Sequence, residues 1–413
     1  ALNLGTVSVG QNFEARSGNG ITDSGVITVA GTSLFHSDVT AKVITLDSVN
    51  AMTGAVSITH TGAANVAIDN GTTALNLGTV SVGQNFSATS GAGITDSGVI
   101  TVAGTGTFVT DVNDIDIVLD SNNAITGALT FTTQTGGTNG ADITFDNGST
   151  AISLAAFTTE GNLTLQTDAA IALTGHTVNG DLAVTSAGAI SQSAALTVSG
   201  TSSFTSTGSN NNITLSTDSN ALTGAVSAST VGSSGDVTID NGTTALNLGT
   251  VTANGDLSIR GGNGITDSGV ITVSGTSLFH SDVTAKVITL DSVNAMTGAV
   301  SITHTGSANV EIDNGTTALN LGTVSVGQNF EARSGNGITD SGVITVAGTS
   351  LFHSDVTAKV ITLDSVNAMT GAVSITHTGS ANVAIDNGTT ALNLGTVSVG
   401  QNFEARSGNG ITD

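Results

Sequence analysis

Apolar and polar residues alternate in short runs along the whole chain. Residues 2–4 read Leu-Asn-Leu, residues 7–9 read Val-Ser-Val, and residues 56–59 read Val-Ser-Ile-Thr. Alternation with a period of two, in runs rich in Val, Ile and Thr and bounded by Gly, Asn, Asp and Ser, is typical of β-strands. No run of 12 residues has the i, i+3, i+4 spacing of an amphipathic helix. The pattern therefore predicts a chain made of short strands and turns.

The same segments return along the chain. Ala-Leu-Asn-Leu-Gly-Thr begins at residues 1, 74, 245, 318 and 391, and a diverged copy begins at residue 151. These starts define repeats 1–73, 74–150, 151–244, 245–317, 318–390 and the partial repeat 391–413. Residues 26–61 return at 343–378 without a change. Repetition of this kind predicts a stack of similar modules, and we expect residues 1–413 to form one continuous array.

A smaller period lies inside each repeat. An aspartate follows an apolar run at nearly regular intervals, and Gln192 fills the place in the one longer gap. The mean spacing is about 24 residues, which we take as one coil, so a 73-residue repeat is predicted to hold three coils. The 17 positions of this aspartate series are Asp23, Asp47, Asp69, Asp96, Asp120, Asp146, Asp168, Gln192, Asp218, Asp240, Asp267, Asp291, Asp313, Asp340, Asp364, Asp386 and Asp413.

Short strands at this period predict an all-β fold, namely a parallel β-solenoid of about 17 coils of about 24 residues each. Alternate side chains would point into a narrow core, and the crossover rule favours right-handed coils. The alternative is an array of small β-sandwich domains, one for each 73-residue repeat. Repeat 151–244 is longer than the others by about one coil. A solenoid accepts one more coil, whereas a sandwich would be broken by it.

The composition narrows the choice of partners. The chain has 7 Lys and Arg against 31 Asp and Glu, a formal net charge of −24, and no Pro, Cys, Trp or Tyr. So few cations cannot neutralise a phosphate backbone, and we expect no nucleic-acid partner. Without Cys there are no disulfides and no thiolate metal sites. No apolar run approaches the roughly 18 residues of a membrane helix, so we expect no membrane insertion by this segment.

The aspartate series is the main candidate for chemistry. If its members share one edge of the solenoid, stacked carboxylates and carbonyls could form a row of weak Ca²⁺ sites. The first five candidates are Asp23, Asp47, Asp69, Asp96 and Asp120. The alternative is Asx-turn capping, in which each Asp bonds its own backbone at a corner and points outward. No Gly-Gly-x-Gly-x-Asp nonapeptide occurs, so the calcium-roll signature is missing.

The histidines are the other candidate ligands. His36 lies two residues before Asp38, which suggests a metal pair, but the repeated positions fit histidines that face solvent from a strand. The seven are His36, His60, His176, His280, His304, His353 and His377. Short turns and repeating modules leave no cleft with long walls, so we expect no enzymatic activity and no cofactor.

Three segments carry a resemblance to a known family. Residues 161–165 read Gly-Asn-Leu-Thr-Leu, residues 180–190 read Gly-Asp-Leu-Ala-Val-Thr-Ser-Ala-Gly-Ala-Ile, and residues 254–259 read Asn-Gly-Asp-Leu-Ser-Ile. They resemble coils of the filamentous-haemagglutinin-like exoproteins, which are very large bacterial surface proteins. The resemblance implies a β-solenoid at the cell surface. The family's amino-terminal secretion domain is not in this segment, and no Arg-Gly-Asp tripeptide occurs.

Two functions are consistent with these features. The first is a structural shaft of an extracellular bacterial filament or surface stalk, whose partners are copies of itself or flanking repeats, end to end or side by side. The second is an adhesin whose surface binds cells or matrix. Near-identical repeats favour the shaft, because an adhesive site needs no 73-residue period. Neither end shows a polar capping module, so we expect the chain to be a window from a longer protein.

Overall fold

Strands and turns make up the protein in this computed structural model, which describes residues 1–38, 41–60, 62–217, 219–281, 285–304, 306–355 and 358–413. Within these ranges there is no helix, and so none long and apolar enough to cross a membrane. The chain divides into an amino-terminal unit, residues 1–200, and a carboxy-terminal unit, residues 201–413.

The strands are short and keep the same pattern from repeat to repeat. Repeat 1–73 contains Leu2–Leu4, Val7–Val9, Phe13–Ser17, Ile21–Asp23, Ile27–Val29, Ser33–Ser37, Ile44–Leu46, Ala51–Met52, Val56–His60 and Val66–Asp69. Residues 151–200 contain Thr158–Thr159, Leu163–Thr167, Ile171–Thr174, Thr177–Val178, Leu182–Ser186, Ile190–Ala194 and Thr197–Val198. Repeat 245–317 contains Leu246–Ala253, Leu257–Arg260, Ile265–Asp267, Ile271–Val273, Ser277–Ser281, Ile288–Leu290, Ala295–Met296, Ala299–His304 and Val310–Asp313.

Each strand pairs in parallel with the strand one turn further along the chain. In the amino-terminal unit Leu2 pairs with Ile21, Ile21 with Ile44, Ile44 with Val66, and Val66 with Phe86. The separation of these partners along the sequence is the length of one turn. The carboxy-terminal unit follows the same rule, as in the pairing of Leu319 with Ile338. Both units are parallel β-solenoids, which confirms the predicted fold class.

Successive half-turns belong to two main sheets. In the first repeat one sheet receives Leu2–Leu4, and the chain then crosses to the other sheet with Phe13–Ser17. The crossing continues until Val66–Asp69, the seventh half-turn of the repeat. Because seven is odd, the next repeat starts in the other sheet, where Leu77 pairs with Val56. A 73-residue repeat therefore contains 3.5 turns.

The carboxy-terminal unit shows the same alternation. Leu246–Ala253 and Leu392–Val399 begin their repeats in one sheet, whereas Leu319–Val326 begins the repeat between them in the other sheet. Identical sequences thus fold in two orientations about the solenoid axis. The inward residues are similar in both sheets, so the core accepts either orientation.

The predicted coil length needs a correction. The chain makes about 20 turns and not 17 coils, so each turn is shorter than the aspartate spacing suggested. A repeat contains 3.5 turns, half a turn more than the three coils predicted. The aspartate spacing misled because the step from Asp69 to Asp96 crosses between sheets. One turn beyond Asp69 lies Thr89 instead.

A thin apolar core runs through each unit. Its strands show the alternating burial that the period of two predicts, as in Val56–His60. Phenylalanines stack from turn to turn, and the ring centroids of Phe108 and Phe131 lie 5.7 Å apart. In such a thin core, Ile, Val, Leu and Phe side chains stack from one turn to the next. Because the core is narrow, polar groups at the corners lie close to the interior.

Candidate functional site

Four of the aspartates that close Ile-Thr-Asp accept hydrogen bonds from the following turn. Asp23 is 8% exposed, and its carboxylate joins two successive turns. Its Oδ1 accepts hydrogen bonds from the backbone amides of Asp47 at 3.0 Å and Ser48 at 3.3 Å. Its Oδ2 accepts one from Asn50 Nδ2 at 2.8 Å. The carboxylate therefore caps the corner of the following turn and not its own corner.

The same cap recurs three more times. Asp96, Asp267 and Asp340 accept the matching bonds, including those from the amides of Asn123, Asn294 and Asn367. Burial raises the pKa of these three carboxyls above the ordinary value of 3.8, although the hydrogen bonds oppose that rise. These groups are structural caps between turns.

The other two aspartate positions of a repeat lie elsewhere. Asp47 is exposed, and Asp69 follows it in the next turn of the same sheet. Asp69 accepts a hydrogen bond from the amide of Gly71 at 2.8 Å, which is an Asx turn of the kind expected. Asp120 follows Leu119 in the sheet that also contains Asp96, and its backbone amide donates to Asp96.

The aspartate series therefore occupies three kinds of position and forms no single row. Asp23 is in register with apolar Leu4, and Asp96 with Leu77. Among the residues that the structure describes, no three His, Asp or Glu side chains group where they could hold a metal ion. Asp218 lies outside the described residues. Calcium binding at Asp23, Asp47, Asp69, Asp96 and Asp120 stays a prediction.

Buried asparagines form a set that the sequence reasoning missed. Asn70 is 0% exposed, its Oδ1 accepts from the amide of Met52 at 2.9 Å, and its Nδ2 donates to the Met52 carbonyl at 3.0 Å. The side chain thus replaces a backbone partner in the ladder. The signal was present as Asp-Asn-Gly at five positions, and as Asp-Ser followed within two residues by Asn at the other five. The ten members are Asn50, Asn70, Asn123, Asn147, Asn220, Asn241, Asn294, Asn314, Asn367 and Asn387.

The four arginines pair with neighbouring carboxylates. Arg260 reaches Asp240 of the preceding turn at 3.1 Å, and Arg333 Nε donates to Glu331 at 2.6 Å. Glu311 lies directly opposite Glu331, and burial, followed by the charge of Glu331, raises the pKa of Glu311. These arginines reduce repulsion between stacked carboxylates on the surface.

A shallow groove appears at equivalent places in the two units. In the amino-terminal unit it measures about 410 Å³ and runs past His60, Gly83 and Thr101; its counterpart of about 330 Å³ runs past His304, Gly327 and Thr345. Small apolar side chains and hydroxyls form the rest of both linings. Histidine is the single titratable residue type in either lining.

One family of repeats matches this architecture. A family described as "Repeats of unknown function (DUF5649)" matches residues 1–59, 63–132, 160–229, 234–303 and 307–376, which together exceed half of the chain. The chain belongs to this family. No curated protein and no solved structure is similar enough to count as a match.

The length of the DUF5649 matches agrees with the length of 3.5 turns. Segments 63–132, 160–229, 234–303 and 307–376 each span about 70 residues. Since the whole chain makes about 20 turns, a segment of this length is close to 3.5 turns, the interval after which the sequence repeats in the other sheet. In this chain each of these matched segments therefore spans close to an odd number of half-turns.

Three histidines, each one residue beyond the end of a matched segment, contradict the predicted outward orientation. His60, His304 and His377 are at most 1% exposed. His60 Nδ1 lies 3.0 Å from the carbonyl of Gly62, and its Nε2 lies 2.5 Å from the carbonyl of Lys42. Carbonyl oxygens only accept, and a neutral imidazole has a single N–H, so the neutral ring donates to one of these two carbonyls. The chain alternates so that every second residue of Val56–His60 is inward, and His60 is the last of them.

The remaining histidines divide into two kinds. His36 and His353 each pair with the aspartate two residues further on and keep about a fifth of their side chains exposed. His280, at the equivalent position of its repeat, is also partly exposed. His176, inside the match at 160–229, is 1% exposed, and neither ring nitrogen has a hydrogen-bond partner among the described residues. Its burial also contradicts the prediction of a solvent-facing histidine.

Proposed function

We propose that this chain is the structural shaft of an extracellular bacterial filament or surface stalk, and that it is not an enzyme. The alternation of identical repeats between two sheets carries this proposal. A binding surface made by one repeat is directed to a different side by the next repeat. A shaft has no such requirement, because only the stacking of turns has to continue.

The resemblance to filamentous-haemagglutinin-like exoproteins supports the location. Those proteins are large and lie at the bacterial surface, and the composition of this chain, without Cys and with a net charge of −24, is compatible with that compartment. In this proposal the partners are flanking repeats or further copies of the chain, joined end to end or side by side. Backbone ladders between turns supply stiffness.

Deletion of residues 318–390 tests the shaft directly. The new junction joins residue 317 to residue 391 and restores the Thr-Thr-Ala-Leu-Asn-Leu sequence found at the boundaries before residues 74, 245, 318 and 391. We expect the circular dichroism spectrum to stay that of a β-protein. In electron micrographs the particle should be shorter by about 17 Å, since 3.5 turns are lost at about 4.8 Å per turn.

Experiments on whole cells separate the shaft from the adhesin alternative. On cells of the source organism, antibody against the chain should label the intact surface, and the deletion should move a tag placed beyond the repeats closer to that surface. The matched control replaces Arg333 and His353 by Gln on the outward face and should leave both readouts unchanged. Binding of the cells to other cells and to matrix is measured in parallel. If the control folds normally but loses this binding, the adhesin is favoured over the shaft.

A further inference from the structure

His176 occupies an apolar column in the wall of the amino-terminal unit. Thr177 pairs with Thr158 in the preceding turn and with Thr197 in the following turn. This register places His176 between Phe157 and Leu196. The centroid of the Phe157 ring lies 5.0 Å from that of the imidazole, in an edge-on contact.

No charged group among the described residues pairs with the buried imidazole. No Lys or Arg occurs between Lys42 and Arg260 in the sequence. The other titratable side chains of residues 151–200 are Glu160, Asp168 and Asp181, and all three are at least partly exposed. Glu160 accepts a hydrogen bond from Asn179 at 3.1 Å. A proton that enters the His176 ring therefore creates an unpaired charge in an apolar environment.

Burial has the expected effect on titration. It lowers the pKa of His176 from 6.5 to about 4. Because the folded state binds the proton less tightly than the opened state, stability contributed by neutral His176 is complete above pH 6.5. It is lost as the pH falls towards 4. Acid therefore favours opening of the turns that enclose this ring.

We propose that His176 makes residues 151–200 an acid-sensitive segment, in which protonation of the imidazole opens the local turns while the rest of the solenoid stays folded. This property goes beyond a passive shaft, because acid would open one segment of the chain. This acid sensitivity arises because an imidazole, which can be protonated, stands in the column where an apolar side chain stands in the following turn. The sequences Leu-Thr-Val-Ser-Gly at 196–200 and His-Thr-Val-Asn-Gly at 176–180 show this replacement directly.

Hydrogen exchange of the full chain, followed by mass spectrometry at pH 7 and pH 5, tests the proposal. After correction for intrinsic exchange rates, we expect protection around residues 158–178 to fall about 20-fold between these pH values. Peptides around Asp267 and Asp340 serve as internal controls. Burial raises the pKa of those carboxyls, so the folded state binds their protons more tightly and acid does not open their turns.

Two substitutions separate the role of the proton from general acid effects. The substitution His176→Leu introduces leucine, the residue that already occupies the equivalent position 196 in the following turn. In this variant, protection should no longer depend on pH. In His36→Gln, which removes a half-buried histidine elsewhere in the unit, the pH dependence should remain. Equal protection at both pH values in the native chain, or the same acid-induced loss in His176→Leu, would overturn the proposal.

A measurement on the native chain covers the case in which His176→Leu does not fold. Nitrogen-15 chemical shifts report the protonation state of the imidazole directly. We expect the His176 ring to be neutral at pH 6 in the folded protein. An imidazolium at that pH would sink the proposal, and neither result bears on whether the solenoid serves as a shaft.

Discussion

At the scale of single residues, buried polar side chains replace backbone partners at the corners of the turns. Asp23 accepts three hydrogen bonds from the next turn, and Asn70 both donates to and accepts from Met52. A corner breaks the ladder, which leaves backbone groups without strand partners. Because such groups are costly when buried, a side chain that reaches them stabilises each turn against its neighbour.

Replacement of one corner amide measures this contribution. Asn314→Ala removes the acceptor of the Met296 amide and the donor to its carbonyl, at 2.8 and 2.9 Å. We expect the free energy of unfolding, from urea denaturation, to fall by about 2 to 4 kcal/mol, since buried groups lose their partners. Exposed Asn309 in the same repeat is the control, and Asn309→Ala should change stability by less than about 0.5 kcal/mol. Equal effects would show that the corner amide has no special role.

At the scale of elements, glycines set the corners where the backbone turns left-handed. Gly315 has a φ of 54°, and its amide donates to Asp313 at 2.7 Å. A Cβ there would lie 2.5 Å from Val293 Cγ1 and 3.0 Å from the Asn294 carbonyl oxygen. The Asx turn and the close approach of the preceding turn both require glycine at this corner.

Gly315→Ala tests that requirement. We expect a loss of about 1 to 2 kcal/mol from the left-handed conformation, with a further cost from the contact to Val293, and a lower midpoint of thermal unfolding. Gly10 has no atom within 4 Å of an added Cβ and no left-handed φ. Gly10→Ala should therefore be neutral or slightly stabilising. A loss at Gly10 as large as that at Gly315 would contradict this account.

At the scale of the whole molecule, the acidic charge is distributed over positions with different environments. Asp23, Asp96, Asp267 and Asp340 are caps whose carboxylates are already bonded to the next turn. Other members of the series, such as Asp47, are exposed. The net charge of −24 is therefore a sum over caps, Asx turns and surface residues, and not the property of one coil position.

Thermal unfolding with Ca²⁺ and with chelator decides whether these carboxylates act together. Because the series is divided among three kinds of position, we expect the same midpoint with Ca²⁺ as with chelator, since Ca²⁺ needs six to eight oxygen ligands at one site. Mg²⁺ at the same ionic strength controls for screening of the net charge. A rise specific to Ca²⁺ would establish the calcium binding that the aspartate spacing suggests.

The fold class followed from the sequence because its signals are local. Alternation in runs such as Val-Ser-Ile-Thr, the absence of Pro and the repeats all indicate stacked parallel strands. The turn length did not follow, because the spacing from Asp69 to Asp96 includes a crossing between sheets that no local pattern marks. The orientation of His60 and His176 also depended on which strand residues face inward at each corner, and that is decided by register.

The sequence by itself determined that this chain is a repetitive β-solenoid, since a period of two and a 73-residue repeat are properties of the order of residues. Only the tertiary structure decided that a repeat is 3.5 turns and that identical copies begin in alternate sheets. Register between turns is set by side-chain packing across the core and by hydrogen bonds such as that from Asn50 to Asp23. Those contacts join residues 27 positions apart and exist only after the chain has coiled.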